Sequence, residues 1–493
     1  MQEQVDFLII SGVGDAFDRP AYGLAVKNPG GLPPPMRTLG PSKIANRVRE
    51  AGYTCQVIDF YEYFERDELL LAIHKFIGPK TVLGISTTFF PMSMWRKPNE
   101  DSRALDLRFI IEYCKKKFKT KVVVGGPSAQ KFARVFYADK IIIGYAENEI
   151  VKLMDEWRNH GISKKTIPFW DIKTCEHRWH ESNFIFENEA LPIEIGRGCI
   201  FHCKFCRFEM LGKKKGTYVR TFDRIYDEIM YNYTHFKTTK YLIVEDTFND
   251  DQTKMKAWFD MVRSLPFKIE YTAYLRTDLL HAFPDTAYEL YETGLLSASL
   301  GIETLHPVAA KAIGKYWSAK HGPTFVPKLV NEIWQGKVIA RLNWIVGLPG
   351  EDEKSWEKTK NWIFENNLKC PLFAPLSIVP HNPREGNDPN ILRSIFDKEM
   401  DAYGYKMGFP DKPLDYWENE HMNYDSAGVI AGRLNSYFEK TGQIGNWRAM
   451  ALLATGISHD YLLNTPRIKL INDPMVIKKI TEHVQNYKDK ILD

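Results

Sequence analysis

The chain has 493 residues, 44% of them hydrophobic, which is too long for one ordinary core and implies two or three domains. A formal charge of +4 at pH 7, evenly mixed, supplies no argument for a nucleic-acid or membrane partner. Seven unevenly spaced cysteines argue against a secreted disulfide framework, and neither a signal-peptide pattern nor an apolar run of about 18 residues is found, so a soluble protein of a reducing cytoplasm is expected. Residues 1–160 alternate apolar strands with helix-length segments. VDFLIIS (5–11), TCQVIDF (54–60), TVLGIS (81–86), KVVVGG (121–126) and KIIIG (140–144) read as strands. PSKIANRVREAG (41–52), DELLLAIHKF (67–76), RALDLRFIIEYCKKKF (103–118) and ENEIVKLMDEW (147–157) read as helices. Short continuous apolar runs between amphipathic helices mean a parallel sheet covered on both faces. This predicts a doubly wound α/β domain that binds its ligand at the carboxyl ends of the strands.

Residues 161–190 are irregular and polar and read as a linker. From 191 to 380 about six βα units follow, enough for a partial barrel and too few for a full eightfold one. Residues 381–493 lose the βα rhythm and read as a mostly helical region, a candidate cap for the barrel.

The segment GRGCIFHCKFCRFE places Cys199, Cys203 and Cys206 in a Cys-x3-Cys-x2-Cys spacing directly after the first strand of this second array. Thiolates are soft ligands that suit an iron–sulfur cluster or zinc. Three protein ligands would leave one iron of a four-iron cluster open to a small molecule. The alternative is a zinc site completed by His202, His177 or His180.

The triplet, with the aromatic Phe205 inside it, resembles the cluster motif of the radical S-adenosylmethionine (SAM) superfamily. The resemblance continues in LIVEDTF (242–248), YLRTDLL (274–280), SLGIET (299–304) and WIVGLPGE (344–351). These are similar, in order, to strand-end motifs of the subgroup that carries an N-terminal cobalamin-binding-type domain. The resemblance implies a [4Fe–4S] cluster on the three cysteines and SAM on its open iron. It implies that Glu245 or Asp246 meets the SAM ammonium or a ribose hydroxyl. It further implies that Arg276 meets the SAM carboxylate and Glu303 the ribose or methionyl part. Gly347, Leu348 and Pro349 would lie against adenine, and Phe205 would shield the cluster. Taken singly, Glu245 and Asp246 could instead cap a helix, and Arg276 with Asp278 could be a plain ion pair.

The N-terminal domain resembles the cobalamin-binding half of that subgroup in its Pro-rich loop (28–41), GISTT (84–88), GGPSA (125–129) and GYAENE (144–149). Ser86, Thr87, Gly125, Gly126 and Gly144 are the implied cobalamin contacts. The Asp-x-His-x-x-Gly pattern is absent and loop 12–38 has no histidine, so an axial histidine is not expected; His74 reads as a packing residue. The resemblance also implies an electron donor such as flavodoxin or ferredoxin and a small-molecule substrate.

Three further features stay open. Lys213, Lys214 and Lys215 could meet a phosphate-bearing substrate or nucleic acid, or be a solvated loop. Cys370 could be a radical-relay thiol or a buried apolar residue. Trp417, His421 and Tyr424 could line a pocket or pack helices. The expected function is reductive cleavage of SAM and attack on an unreactive carbon, with cobalamin-dependent methyl transfer leading. Cobalamin-free rearrangement, cyclisation or oxidation is the alternative. A methylthiotransferase is disfavoured because the N-terminal domain has only Cys55 and Cys114. A metal-stabilised binding protein without catalysis is the reading from another class.

Overall fold

A computed structural model describes residues 4–13, 35–88, 101–126, 129–206, 214, 217–378, 394–413, 415–442, 452–453, 455–470 and 472–493. Most of the Pro-rich loop, two residues of the GGPSA turn, the polar loop 381–390, Lys213 and Lys215 lie outside them.

The first sheet contains β1 (Phe7–Ile10), β2 (Cys55–Ile58), β3 (Val82–Ser86), β4 (Lys121–Gly125) and β5 (Lys140–Ile142). Its order is β2-β1-β3-β4-β5, and every pairing is parallel. Chain direction across the sheet reverses beside β1, so the switch point lies between the carboxyl ends of β1 and β3. FLII and CQVI are buried throughout because helices cover both faces. Leu8, Ile10, Leu83 and Val124 pack on one side, and Phe7, Ile9, Val57 and Val123 on the other.

The second sheet contains β6 (Leu191–Glu194), β7 (Lys240–Val244), β8 (Glu270–Leu275), β9 (Leu295–Glu303), β10 (Ile339–Val346) and β11 (Pro371–Pro375). They pair in parallel in strict sequence order. Sequential order with helical crossovers makes a curved, open barrel of six strands, as the sequence predicts. Along β8 to β10 alternate residues such as Ala273, Leu275, Leu300, Ile302, Leu342 and Trp344 join the apolar core. The period of two turns Tyr274, Arg276, Ser299, Glu303, Arg341 and Asn343 to the opposite, luminal face.

One expectation changes here. Residues 161–190 are irregular, but they are not a loose tether. Trp179 and His177 are buried, and Arg37 binds Glu189 (2.6 Å) and the carbonyl of Asn183 (2.8 Å). The C-terminal region packs in three places. Helix Tyr424–Lys440 covers the exposed edge of β11, where the Asn435 side chain donates to Phe373 O (2.9 Å) and accepts from Phe373 N (3.1 Å). That satisfies backbone groups an open edge would leave unpaired. Leu452, Leu453, Ile457, Leu462 and Leu470 pack with Leu296, Ile339 and Cys370 at the amino end of the barrel. The last helix, Pro474–Leu492, returns to the N-terminal domain, where Tyr487 and Ile491 enter the core. The Tyr487 hydroxyl accepts from Asp59 N at 2.8 Å.

Candidate active site

Cys199, Cys203 and Cys206 follow β6 on one short loop, at the carboxyl end of the second sheet. Cys199 is buried and the other two are half-buried. The loop is held by backbone bonds: Cys206 N donates to Cys203 O (3.0 Å), Phe396 N to Lys204 O (3.0 Å) and Arg197 N to Tyr218 O (3.0 Å). The Cys199 Sγ accepts from Phe201 N at 3.5 Å and lies 3.3 Å from the Thr247 hydroxyl. The Cys203 Sγ accepts from Arg276 Nη1 at 3.3 Å. A soft sulfur set surrounded by donors suits a cluster whose sulfurs carry negative charge.

Zinc has less support. Among the described residues no group of three His, Cys, Asp or Glu side chains, the three cysteines included, is placed to hold one metal ion. His177 bonds Asn46 (3.1 Å) and caps nothing near the cysteines, His180 caps the turn Glu181–Asn183, and His202 is exposed.

The strand-end motifs converge on this loop in different ways. Asp246 accepts from Gly198 N (3.2 Å), and burial pushes its carboxyl up to about 7. Glu245 turns away into a buried ion cluster: Lys254 bridges it (2.5 Å) and Asp250 (2.5 Å), to which Tyr218 also donates. Burial outweighs Lys254 and raises Glu245 to about 8. Asp246, and not Glu245, therefore faces the cysteine loop. Neither caps a helix; Asp251 caps the following one.

Arg276 sits at the turn after β8. Asp278 takes two of its nitrogens (3.0 and 2.7 Å), and its guanidinium carbon stacks 3.8 Å from the centre of the Phe201 ring. Glu303 ends β9 in a left-handed conformation (φ 67°) and binds Lys315 at 3.0 Å. Lys315 also donates to Gly301 O (3.0 Å) and lies 5.8 Å from the Phe205 ring. A Cβ on Gly301 would fall 2.6 Å from the Glu303 carboxylate and 2.8 Å from the Lys315 ammonium, so these side chains would have to shift to admit one.

The Gly347–Leu348–Pro349 turn is built around Glu351. Its carboxyl accepts from Gly347 N and Leu348 N (3.0 Å each) and from the Thr304 hydroxyl (2.6 Å), joining the ends of β9 and β10. Burial, opposed by these three donors, holds Glu351 up at about 8. The unfolded chain releases this proton near the ordinary value of 4.5. The native state then binds the extra proton, so stability falls as pH rises from about 4.5 to about 8. Glu351→Gln is expected to flatten the melting-temperature profile between pH 5 and 8. Equal slopes in the variant and the unchanged chain would contradict this.

Trp417 backs the turn: it is fully buried and donates to Leu376 O (2.8 Å), while Tyr405 donates to Gly347 O (2.7 Å). Trp417 thus supports the turn from behind, Tyr424 packs beside it at 6.3 Å, and His421 is exposed. Cys370 is at the amino end of β11, opposite the cysteine loop, which removes the relay-thiol reading. Lys214 is exposed.

Arg197, two residues before Cys199, was not marked by any sequence pattern. It binds Glu194 (2.5 Å) and, across the domain boundary, Glu147 (2.5 Å) after β5. The Tyr145 and Trp170 rings lie 4.6 and 4.3 Å from its guanidinium carbon. Against the pull of burial, Lys43 and Arg197 hold Glu194 down at about 2. In the N-terminal domain, Ser86, Thr87, Gly125, Gly126 and Gly144 do gather at the carboxyl ends of β3, β4 and β5. Thr87 donates from its backbone and hydroxyl to Gly125 O (2.8 and 2.9 Å). These strand ends are small and neutral. His74 stacks on Tyr113 (5.2 Å), as a packing residue does.

Comparison with known proteins agrees. Residues 193–363 match the family model of the radical SAM superfamily. Over 221 residues the chain is 23% identical to bacteriochlorophyllide d C-12(1)-methyltransferase of Chlorobaculum tepidum, covering 44% of this chain and 47% of that protein. The match therefore spans about half that relative's length. The structure is similar to the radical SAM methyltransferase TsrM of Kitasatospora setae solved with cobalamin and a [4Fe–4S] cluster (TM-score 0.62, 12% identity, 97% of this chain and 99% of that one). It is also similar to the cobalamin-dependent radical SAM enzyme OxsB solved with aqua-cobalamin (TM-score 0.58, 11% identity, 99% and 72%). No helix among the described residues is long and apolar enough to cross a membrane. Residues 193–363 thus match the radical SAM family model, behind a doubly wound domain, in a chain similar in fold to TsrM and OxsB.

Proposed function

We propose that the protein is a cobalamin-dependent radical SAM methyltransferase acting on an unreactive carbon of a small molecule. Cys199, Cys203 and Cys206 would hold the cluster, which would supply the electron for breaking a carbon–sulfur bond of SAM, and the strand ends of the first sheet would hold cobalamin as the methyl carrier. The protein's own residues orient and enclose. Asp246 and the Lys315–Glu303 pair present polar groups to the amino-acid and ribose parts of SAM. The Glu351-braced turn offers apolar surface and backbone to adenine. Phe201 and Phe205 keep water from the sulfurs. Tyr274, Ser299, Arg341 and Asn343 form a polar layer inside the barrel, with Arg341 and Asn343 both donating to Ser299 (2.9 Å each), which suits a polar substrate. The electron would come from flavodoxin or ferredoxin.

The observation that carries the cobalamin part is the Glu147–Arg197 bridge. It brings the strand-end face of the first sheet to the border of the cysteine loop, so that two ligands held there would be neighbours. Full-length, cluster-loaded protein mixed with hydroxocobalamin and desalted is expected to keep about one corrinoid per chain, read from its visible spectrum. Loss of all corrinoid on desalting would remove methyl transfer and leave hydrogen abstraction with rearrangement, cyclisation or oxidation.

A further inference from the structure

The resemblance assigns Arg276 to the SAM carboxylate, yet its surroundings aim it elsewhere. Four independent contacts fix it. The buried Asn249 side chain clamps its backbone, accepting from Arg276 N (2.9 Å) and donating to Arg276 O (3.0 Å). Asp278 engages Nε and Nη2 through both carboxylate oxygens. Phe201, from the cysteine loop itself, lies flat on the guanidinium at 3.8 Å. The remaining nitrogen, Nη1, donates to the Cys203 Sγ at 3.3 Å. Asp278 occupies the Nε–Nη2 edge of the guanidinium. One Nη1 N–H is directed at a cysteine sulfur, in a side chain 13% exposed.

We propose that Arg276 is a positioning and redox-tuning residue of the cluster, donating to the Cys203 sulfur and stabilising the reduced state. This rests on the reading that the three cysteines hold a [4Fe–4S] cluster. Reduction adds one negative charge to the cluster. A fixed cation and an N–H···S bond favour that more negative state, and hydrogen bonds to cluster sulfurs are among the levers that set its potential. Asp278 orients the fork and partly offsets its charge, while Asn249 and Phe201 prevent it from swinging toward solvent. The Arg-x-Asp spacing is then explained by local geometry: two residues apart at the start of the helix Thr277–Ala282, the two side chains close onto each other beside the sulfur.

The test is an anaerobic redox titration of the reconstituted full chain, followed by the electron paramagnetic resonance signal of the reduced cluster. The unchanged chain, R276M and R276K are compared, each with its iron and sulfide content. Arg276→Met is expected to keep the iron content and shift the midpoint potential negative. Arg276→Lys keeps a charge without the same reach and should shift it less, in the same direction. R276M with full iron and an unshifted potential overturns the proposal. If R276M fails to hold iron, R276K decides, and an unshifted potential there overturns it. Absence of iron and sulfide in the unchanged chain would instead overturn the cluster reading, and this proposal with it.

Discussion

Cys203→Ala, reconstituted anaerobically with iron and sulfide, is expected to fold and to hold no [4Fe–4S] cluster. The thiol is half-buried on an irregular loop, so its removal leaves no large cavity. The fold is held elsewhere, by Arg197, the Phe396–Lys204 backbone bond and the two cores. Iron should drop from about four per chain to below one, and SAM cleavage to background, because two thiolates cannot retain a cluster that already lacks a fourth protein ligand. Cys199→Ala and Cys206→Ala should behave alike. Circular dichroism and the melting temperature of the metal-free forms check that the fold survives. A C203A protein that retains four irons would contradict the ligand assignment, whereas one that fails to fold would point to a structural role.

Gly347→Ala is the second large effect. Gly347 has φ 104°, a conformation an L side chain rarely adopts. An added Cβ would also stand 2.4 Å from one Trp417 ring carbon and 2.7 Å from another. Trp417 cannot recede, because it is fully buried and its indole nitrogen donates to Leu376 O. The turn must therefore move, and with it the Glu351 bonds to Gly347 and Leu348. A cost of about 3 kcal/mol in chemical denaturation is expected, combining overpacking with backbone strain. SAM affinity should fall with it, measured by calorimetry on the cluster-loaded protein. Gly347→Ala with Trp417→Leu should recover the part due to the ring contact and retain about 1 kcal/mol from the backbone. A fully stable G347A would show that Trp417 does not brace this turn.

Both sheets were legible in the sequence for a simple reason. A strand covered by helices on both faces is mostly apolar, as FLII, CQVI and KVVVG are, with buried Gln56 and exposed Lys121 the polar members. The luminal strands carry a different mark, the alternation of SASLGIE and ARLNWIV, because one face packs in the core and the other faces the lumen. The five motifs stood out because each sits at a strand end, where a short stretch of chain carries both the turn and the chemistry. Tertiary partners were not legible. Arg197 takes meaning only from Glu147, fifty residues away and in the other domain. Lys315 and Lys254 each serve a carboxylate that the motifs single out, but nothing local marks them. Glu245 and Asp246 are adjacent in sequence, and only the fold separates the buried ion cluster from the cysteine loop. The C-terminal region was opaque because it performs three separate packing tasks, on β11, on the barrel floor and on the N-terminal core, with no repeating pattern. Small strand-end residues such as Ser86 and Gly126 look the same whether they make a turn or a ligand floor.

We propose that this chain cleaves SAM reductively at a cluster on Cys199, Cys203 and Cys206. The most direct measurement incubates the anaerobic, cluster-loaded chain with SAM and a strong reductant, with and without cobalamin, and analyses products by liquid chromatography and mass spectrometry. 5′-Deoxyadenosine with methionine is the expected result, absent from the Cys203→Ala protein, and S-adenosylhomocysteine appearing only with cobalamin would report methyl transfer to it. Intact SAM after prolonged incubation of a fully loaded, reduced chain would contradict the account.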